Sequence, residues 1–146
     1  MDLSFQEKGA WGVLAGLLVV AAFYFPAALD IVDYSGNPIA LIAISIVGVV
    51  VLVVIEIVYH MIVALSGDTE SDERDALIDL RAERNGGLVL GLSLFILVGH
   101  IVAETLRNAG EPPNGLLLAV YIIGALTVSE VAKLASQIWY YRIGRL

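Results

Sequence analysis

Residues 38–66, PIALIAISIVGVVVLVVIEIVYHMIVALS, decide the fold. A helix that crosses ~30 Å of hydrocarbon needs about 20 predominantly apolar residues. This stretch exceeds that length with one carboxylate, Glu56, and one imidazole, His60, inside it. Three more stretches read the same way, at about 9–29, 86–107 and 115–141. The 146 residues are 59% hydrophobic and 16% charged, with a mean hydropathy of +0.87. A soluble domain carries roughly 45–50% apolar and ~25% charged residues. Four spans consume most of the chain, so residues 1–146 are expected to form a single all-α membrane domain.

The first stretch is longer than a signal-peptide core, and its leader sets Asp2 and Glu7 against Lys8, so a retained helix is expected. Cysteine is absent, which excludes disulfides, thiolate metal sites and covalently attached haem. Orientation follows from Lys and Arg. Lys8 precedes the first span; Arg74, Arg81 and Arg84 lie between the second and third; Lys133, Arg142 and Arg145 close the chain. Only Arg107 falls on the other side, so both termini and the 67–85 connection are expected in the cytoplasm. Trp11 and the Trp139–Tyr141 cluster match an aromatic belt at that boundary, and Tyr24 and Tyr34 flank the opposite one. The net charge of −7 comes mostly from the acids of the connecting segment, which count little for topology.

The halves resemble each other. Gly12-Val-Leu-Ala-Gly16-Leu17 in span one matches Gly87-Leu-Val-Leu-Gly91-Leu92 in span three, and 44 residues separate Gly12 from Glu56 while 43 separate Gly87 from Glu130. Asn37-Pro38 opens span two and Pro113-Asn114 opens span four. The repetition points to a duplicated two-helix hairpin with parallel repeats, which would give Glu56 and Glu130 equivalent positions. Small residues at four-residue spacing let helix backbones approach closely in lipid, so Gly12/Gly16 and Gly87/Gly91 are expected to pack on one another or to form a homodimer face. The segments 30–37 and 108–114 carry turn chemistry.

The cytoplasmic connection holds one more element. Thr69 or Ser71 can cap a juxtamembrane helix over about 71–85, whose first turn carries Asp72 and Glu73. Arg74, Arg81 and Arg84 share a stripe of it, and Arg81 and Arg84 have no carboxylate four residues away. They are candidates for lipid phosphates or a cytoplasmic protein partner.

An acid inside the bilayer costs at least ~2.5 kcal/mol, which makes it a functional candidate by default. Glu56 and His60, and His100 and Glu104, are each spaced i, i+4 on one helix face. Counted at ~1.5 Å per residue, His60 lies about 9 Å deep, Glu56 about 15, His100 about 20 and Glu104 about 26. That spread argues against one compact four-ligand metal site and against bis-histidine haem within one chain, leaving a haem site between subunits open. Neither a metal nor a cofactor is therefore expected. The same spread describes a ladder in which Glu56 and His100 meet, the kind of acid–histidine chain that relays protons or cations. Glu130 joins at the level of Glu56, with Lys133 as its counter-ion, and Glu104, beside Arg107 near the outer boundary, is expected to be solvated. Asp72, Asp75 and Asp79 lack the second acidic cluster that magnesium-dependent membrane transferases require, so enzyme activity is not expected.

The segment Asp72-Glu73-Arg74-Asp75, followed by Leu77-Ile78 and Arg81, resembles a D-E-R-[DQ]-x-x-[IL] motif of small uncharacterised bacterial membrane proteins, where it precedes a membrane helix. Ser4–Lys8 with Trp11, and Ser129-Glu130 with Lys133 and Tyr141-Arg142, are similar to one branch of that group. The resemblance implies four membrane helices and a bacterial cytoplasmic membrane. It carries no activity or site residues, though proximity to small DNA-binding regulators in such proteins hints at signalling.

The residues together predict four transmembrane helices with both termini inside, associating as a homodimer in the lipid bilayer. The expected function is ion- or proton-linked transport through Glu56, Glu130, His100, His60 and Lys133. The alternative is a regulatory scaffold that binds a cytoplasmic protein, and not nucleic acid, through Arg74, Arg81 and Arg84.

Overall fold

A computed structural model describes residues 5–65 and 73–143. Four helices account for nearly all of them: α1 (Phe5–Asp30), α2 (Pro38–Ala64), α3 (Glu73–Arg107) and α4 (Gly115–Ile143). All four are long and apolar enough to span a bilayer, and no strand occurs among the described residues. The 27 residues of α2 measure ~40 Å at 1.5 Å per residue, enough to cross with tilt. The 35 residues of α3 measure ~52 Å by the same rise. The excess is its charged first three turns, so the juxtamembrane helix and span three are one continuous element. Its expected caps, Thr69 or Ser71, and its expected first-turn Asp72 lie outside the described residues.

The turn expected over 30–37 is shorter than its composition implied. The helix runs on from α1 through a π-helical turn, Ile31–Ser35. Val32 is buried there with Tyr24, Ala28 and Leu41, and this apolar contact holds the polar segment in helical form. Reversal falls to Gly36, at φ +57°, whose N–H donates to Ile31 O at 2.8 Å. Asn37 then caps α2, its Oδ1 accepting from Ile39 N at 2.9 Å. Asn114 does the same for α4 through Leu116 N at 2.9 Å. Side-chain acceptors at these starts satisfy amides that the helix cannot.

The helices pack in the order α2–α1–α4–α3. α1 packs against α2 and α4, α4 packs against α1 and α3, and α2 and α3 form the two edges with no extended interface between them. Two apolar clusters sew the central pair together. One joins Tyr24 and Ala28 to Val120 near the turns, and the other joins Ala10 and Leu17 to Leu134 and Ile138 near the termini.

Close approach within each hairpin depends on a glycine. A Cβ at Gly12 would overlap the Tyr59 ring, and one at Gly16 would lie 2.8 Å from Ile55 Cγ2. The Gly12/Gly16 pair is therefore the seat of α2, not of α3. Gly87 and Gly91 face open space, and Gly86 is the glycine that α4 approaches: a Cβ there would lie 3.0 Å from Lys133 Cβ and 3.2 Å from Ser129 O. Gly12 and Gly86 thus each meet the residue 47 positions later in their hairpin, Tyr59 and Lys133. Two hydrogen bonds reinforce the seats, Tyr59 Oη donating to Lys8 O and Ser129 Oγ donating to Gly86 O.

The outer surface is apolar over the membrane length, with Ile46, Val50 and Ile57 of α2 and Leu88, Phe95 and Val102 of α3 all exposed. In water such a surface would drive aggregation. Facing lipid it costs nothing, as expected of an integral membrane protein.

Gly12→Ala is expected to destabilise the protein by about 1–3 kcal/mol through overpacking, read as a lower midpoint of thermal unfolding in detergent. Gly115→Ala, where the added methyl meets nothing within 4 Å, should leave the midpoint unchanged.

Candidate functional site

α1, α2 and α4 enclose a cavity of about 280 Å³. Leu17, Val20 and Tyr24 of α1 form its floor, Gly48 and Leu52 line one wall, and Leu126 and Thr127 line the other. Its few polar groups are satisfied locally. Tyr24 Oη and Ser45 Oγ share a hydrogen bond of 3.0 Å, Ser45 Oγ donates to Leu41 O, and Thr127 Oγ1 donates to Ile123 O. The groove itself offers apolar volume with no charge in it.

The charges stand at one end. One helical turn beyond Leu52 on its stripe is Glu56, and one turn beyond Leu126 is Glu130, both toward the termini. α2 and α4 run antiparallel to α1. Counted from the Gly16–Ile55 approach, Glu56 is level with Ala15; counted from the approach of Phe25 to Gly124, Glu130 is level with Val19. The offset is about one turn, ~6 Å along the helix axis, so the acids stand about a turn apart in depth, each one turn beyond the residues that line the groove. Glu130 pairs with Lys133, Oε1 to Nζ 3.4 Å, both side chains partly exposed. Glu56 is half-buried and makes no ion pair or hydrogen bond among the described residues.

The ladder of acids and histidines does not assemble within the chain. His60 lies one turn toward the termini from Glu56, stacked edge-on against Tyr59 and within 3.4 Å of where a Cβ on Gly9 would sit. His100 lies on the opposite edge. It stacks on Tyr121 with centroids 5.5 Å apart and lines a separate crevice between α3 and α4 with Ser93 and Val128. Tyr121 is nine residues, ~14 Å, from Glu130 along α4. Glu56 and His100 do not meet, because α2 packs on α1 and α3 on α4. Depth along the sequence is compatible with their meeting, but lateral order is not. Glu104 is held at the far end by Arg107 Nη1 at 3.0 Å.

At the termini end the contacts are polar and link α1, α3 and α4. Glu7, the buried charged side chain of the core, accepts from Arg142 Nε at 2.6 Å and ties the start of α1 to the end of α4. Nothing in the sequence marked this pair, which spans 135 positions and looks like two ordinary boundary charges. Asn85 Nδ2 donates to Ser136 Oγ and Tyr140 Oη, and Gln137 Nε2 donates to Asp79 Oδ1 at 2.7 Å. The buried Tyr141 hydroxyl sits among Asp75, Asp79 and Arg74. Ile78 and Ala82 are fully buried on the same side of α3. The charged helix thus rests one face on the protein and leaves Arg74 and Arg84 exposed and Arg81 half-buried.

Among the described residues no group of three or more His, Asp or Glu converges as a metal site would. Compared with protein families, curated proteins and solved structures, the chain matches none.

The Glu7–Arg142 pair is expected to couple by about 0.5–1 kcal/mol, since Arg142 is 56% exposed and solvent screens it. A double-mutant cycle with Glu7→Gln and Arg142→Met, read by thermal unfolding, measures the coupling. Strictly additive losses would remove the pair from any account of how α1 and α4 are held.

Proposed function

We propose that the chain is a small membrane protein that passes a proton or a cation by way of Glu56 and Glu130. The observation that carries this reading is that two carboxylates stand within about a turn of each other in depth, each one turn beyond a wall residue of a single apolar groove, while only Glu130 has a cation at hand. A carboxylate inside a bilayer is balanced by a proton, a cation or a paired side chain. Lys133 serves Glu130, and Glu56 is left to take the mobile charge. The groove beyond the acids is lined mostly by apolar side chains and holds no charge of its own. His60 stands one turn nearer the termini and supplies a relay group toward the cytoplasm. His100 is assigned no part in this path.

A second reading rests on a different observation. The first turns of α3 bury Ile78 and Ala82 against α4 and present Leu77, Leu80 and Arg84 outward. This is the mixed apolar and cationic surface that a cytoplasmic protein or an anionic headgroup layer would engage. Such a surface fits a regulatory scaffold, and the likeness of the Asp72–Arg81 motif to small bacterial membrane proteins is compatible with either reading.

Flux into proteoliposomes, followed with a pH dye across a panel of cations, separates them. Transport through the acids predicts flux in the wild type that falls at least tenfold in Glu56→Gln/Glu130→Gln, with its melting midpoint retained. Absence of flux for every ion in the wild type would sink the transport reading. The scaffold reading instead predicts that Arg81→Glu/Arg84→Glu abolishes capture of a cytoplasmic partner while the acid substitutions are silent.

A further inference from the structure

The glycine seats and the acids of the two hairpins correspond at a shift of 74 positions, one fewer than the shift of 75 that matches the GxxxG runs. The shift of 74 aligns Gly12 with Gly86, Leu14 with Leu88, Pro38 with Pro112, Leu52 with Leu126 and Glu56 with Glu130. It also aligns the two glycine seats, since Gly12 meets Tyr59 and Gly86 meets Lys133. Sequence and contact register therefore agree on one equivalence, α1 with α3 and α2 with α4.

The packing does not obey it fully. α1 has an extended interface on each side, with α2 and α4, whereas among the described residues α3 has one with α4 and no second. The missing contact is the equivalent of the α1–α4 seam, which would join α3 to an α2. On α1 that seam uses Leu14, Leu17, Phe25 and Ala28; on α4 it uses Val120, Gly124, Val131 and Leu134. Shifted by 74, these become Leu88, Gly91, Gly99 and Val102 on α3, and Ile46, Val50, Ile57 and His60 on α2. Each of the eight is exposed. The fit of sizes is kept but exchanged: Phe25 lies over Gly124 in the existing seam, and Val50 would lie over Gly99 in the missing one. Gly91 and Gly99 also leave hollows along α3 with no protein atom within 4 Å of an added Cβ, the surface that close helix approach in lipid uses.

We propose that the α2 and α3 edges are the two halves of a homodimer interface, with α3 of each copy seated on α2 of the other. The two edges of one chain share no extended interface and have α1 and α4 between them, so a second copy is the occupant that supplies both equivalents at once. The contact is made twice about a two-fold axis. The row α2–α1–α4–α3 then closes into a ring of eight helices, in which the acid-bearing α2 and α4 of both copies alternate with α1 and α3. The ring stands independently of what the groove carries.

The chain lacks cysteine, which makes the test clean. A Val50→Cys chain and a Gly99→Cys chain, reconstituted together and treated with a short thiol-reactive crosslinker, should give a covalent dimer containing one of each. Either chain alone, and Leu18→Cys on the outward face of α1, should give none. In dilute bilayers, single-molecule photobleaching should show two steps for the wild type and one for Gly91→Leu, whose added bulk meets only open space within its own chain. Equal crosslinking of the Val50→Cys chain with itself, single-step bleaching of the wild type, assemblies larger than two, or two-step bleaching retained in Gly91→Leu would each overturn the interface.

Discussion

Helices already inside a bilayer gain nothing from hiding apolar surface from water, because lipid tails are as apolar as leucine. What decides which helix lies beside which is how closely two backbones can approach and how many polar groups find partners on the way. In this chain both conditions are met at Gly12 and Gly86. Each removes a side chain where the second helix of its hairpin must pass, and each seat is locked by a hydrogen bond to a main-chain carbonyl, Lys8 O or Gly86 O. The rest of the arrangement follows from these seats. They aim one face of α1 at α2, free another for α4, and thereby leave α2 and α3 at the edges.

That order has consequences for chemistry. Because α2 and α4 both flank α1, the acids they carry at equivalent positions come to stand one turn beyond the two walls of one groove. Because the extended interface of α3 is with α4, His100 lies away from those acids, in a crevice of its own with Tyr121. Which of these side chains are neighbours is thus a product of packing order rather than of depth. The polar contacts at the termini end, Glu7 with Arg142 and Asn85 with Tyr140, hold the three helices α1, α3 and α4 in register where aqueous charges are permitted. The membrane length is left to apolar packing and a few hydroxyl hydrogen bonds, such as Tyr24 with Ser45 and Ser129 with Gly86 O.

The number and length of the helices were legible in composition alone, since few folds other than membrane spans tolerate runs such as residues 38–66. The helical form of the charged turns at the start of α3 was legible too, from the spacing of Arg74, Leu77, Arg81 and Arg84, whereas their unbroken continuation into span three is what the structure adds. Pairing of Glu130 with Lys133 followed from their i, i+3 spacing. What periodicity could not supply was lateral order. In a water-soluble helix the apolar stripe names the buried face, but here every face of α2 is apolar, so no stripe distinguishes α1 from lipid. The same ambiguity let Gly87 and Gly91 pass for a packed pair when the closely approached glycine is Gly86, one residue away and on a different face. The Glu7–Arg142 bond joins the two ends of the chain, and no local spacing reports such a contact.

The central claim is that Glu56 and Glu130 flank one groove while His100 stands apart from them. Pulsed electron–electron resonance between spin labels measures this directly, with each doubly labelled chain diluted into unlabelled protein so that only distances within a chain contribute. Labels at positions 56 and 130 should give a short, narrow distribution, and labels at 56 and 100 a clearly longer one. A distance from 56 to 100 as short as that from 56 to 130 would contradict the packing order and return the histidine to the site.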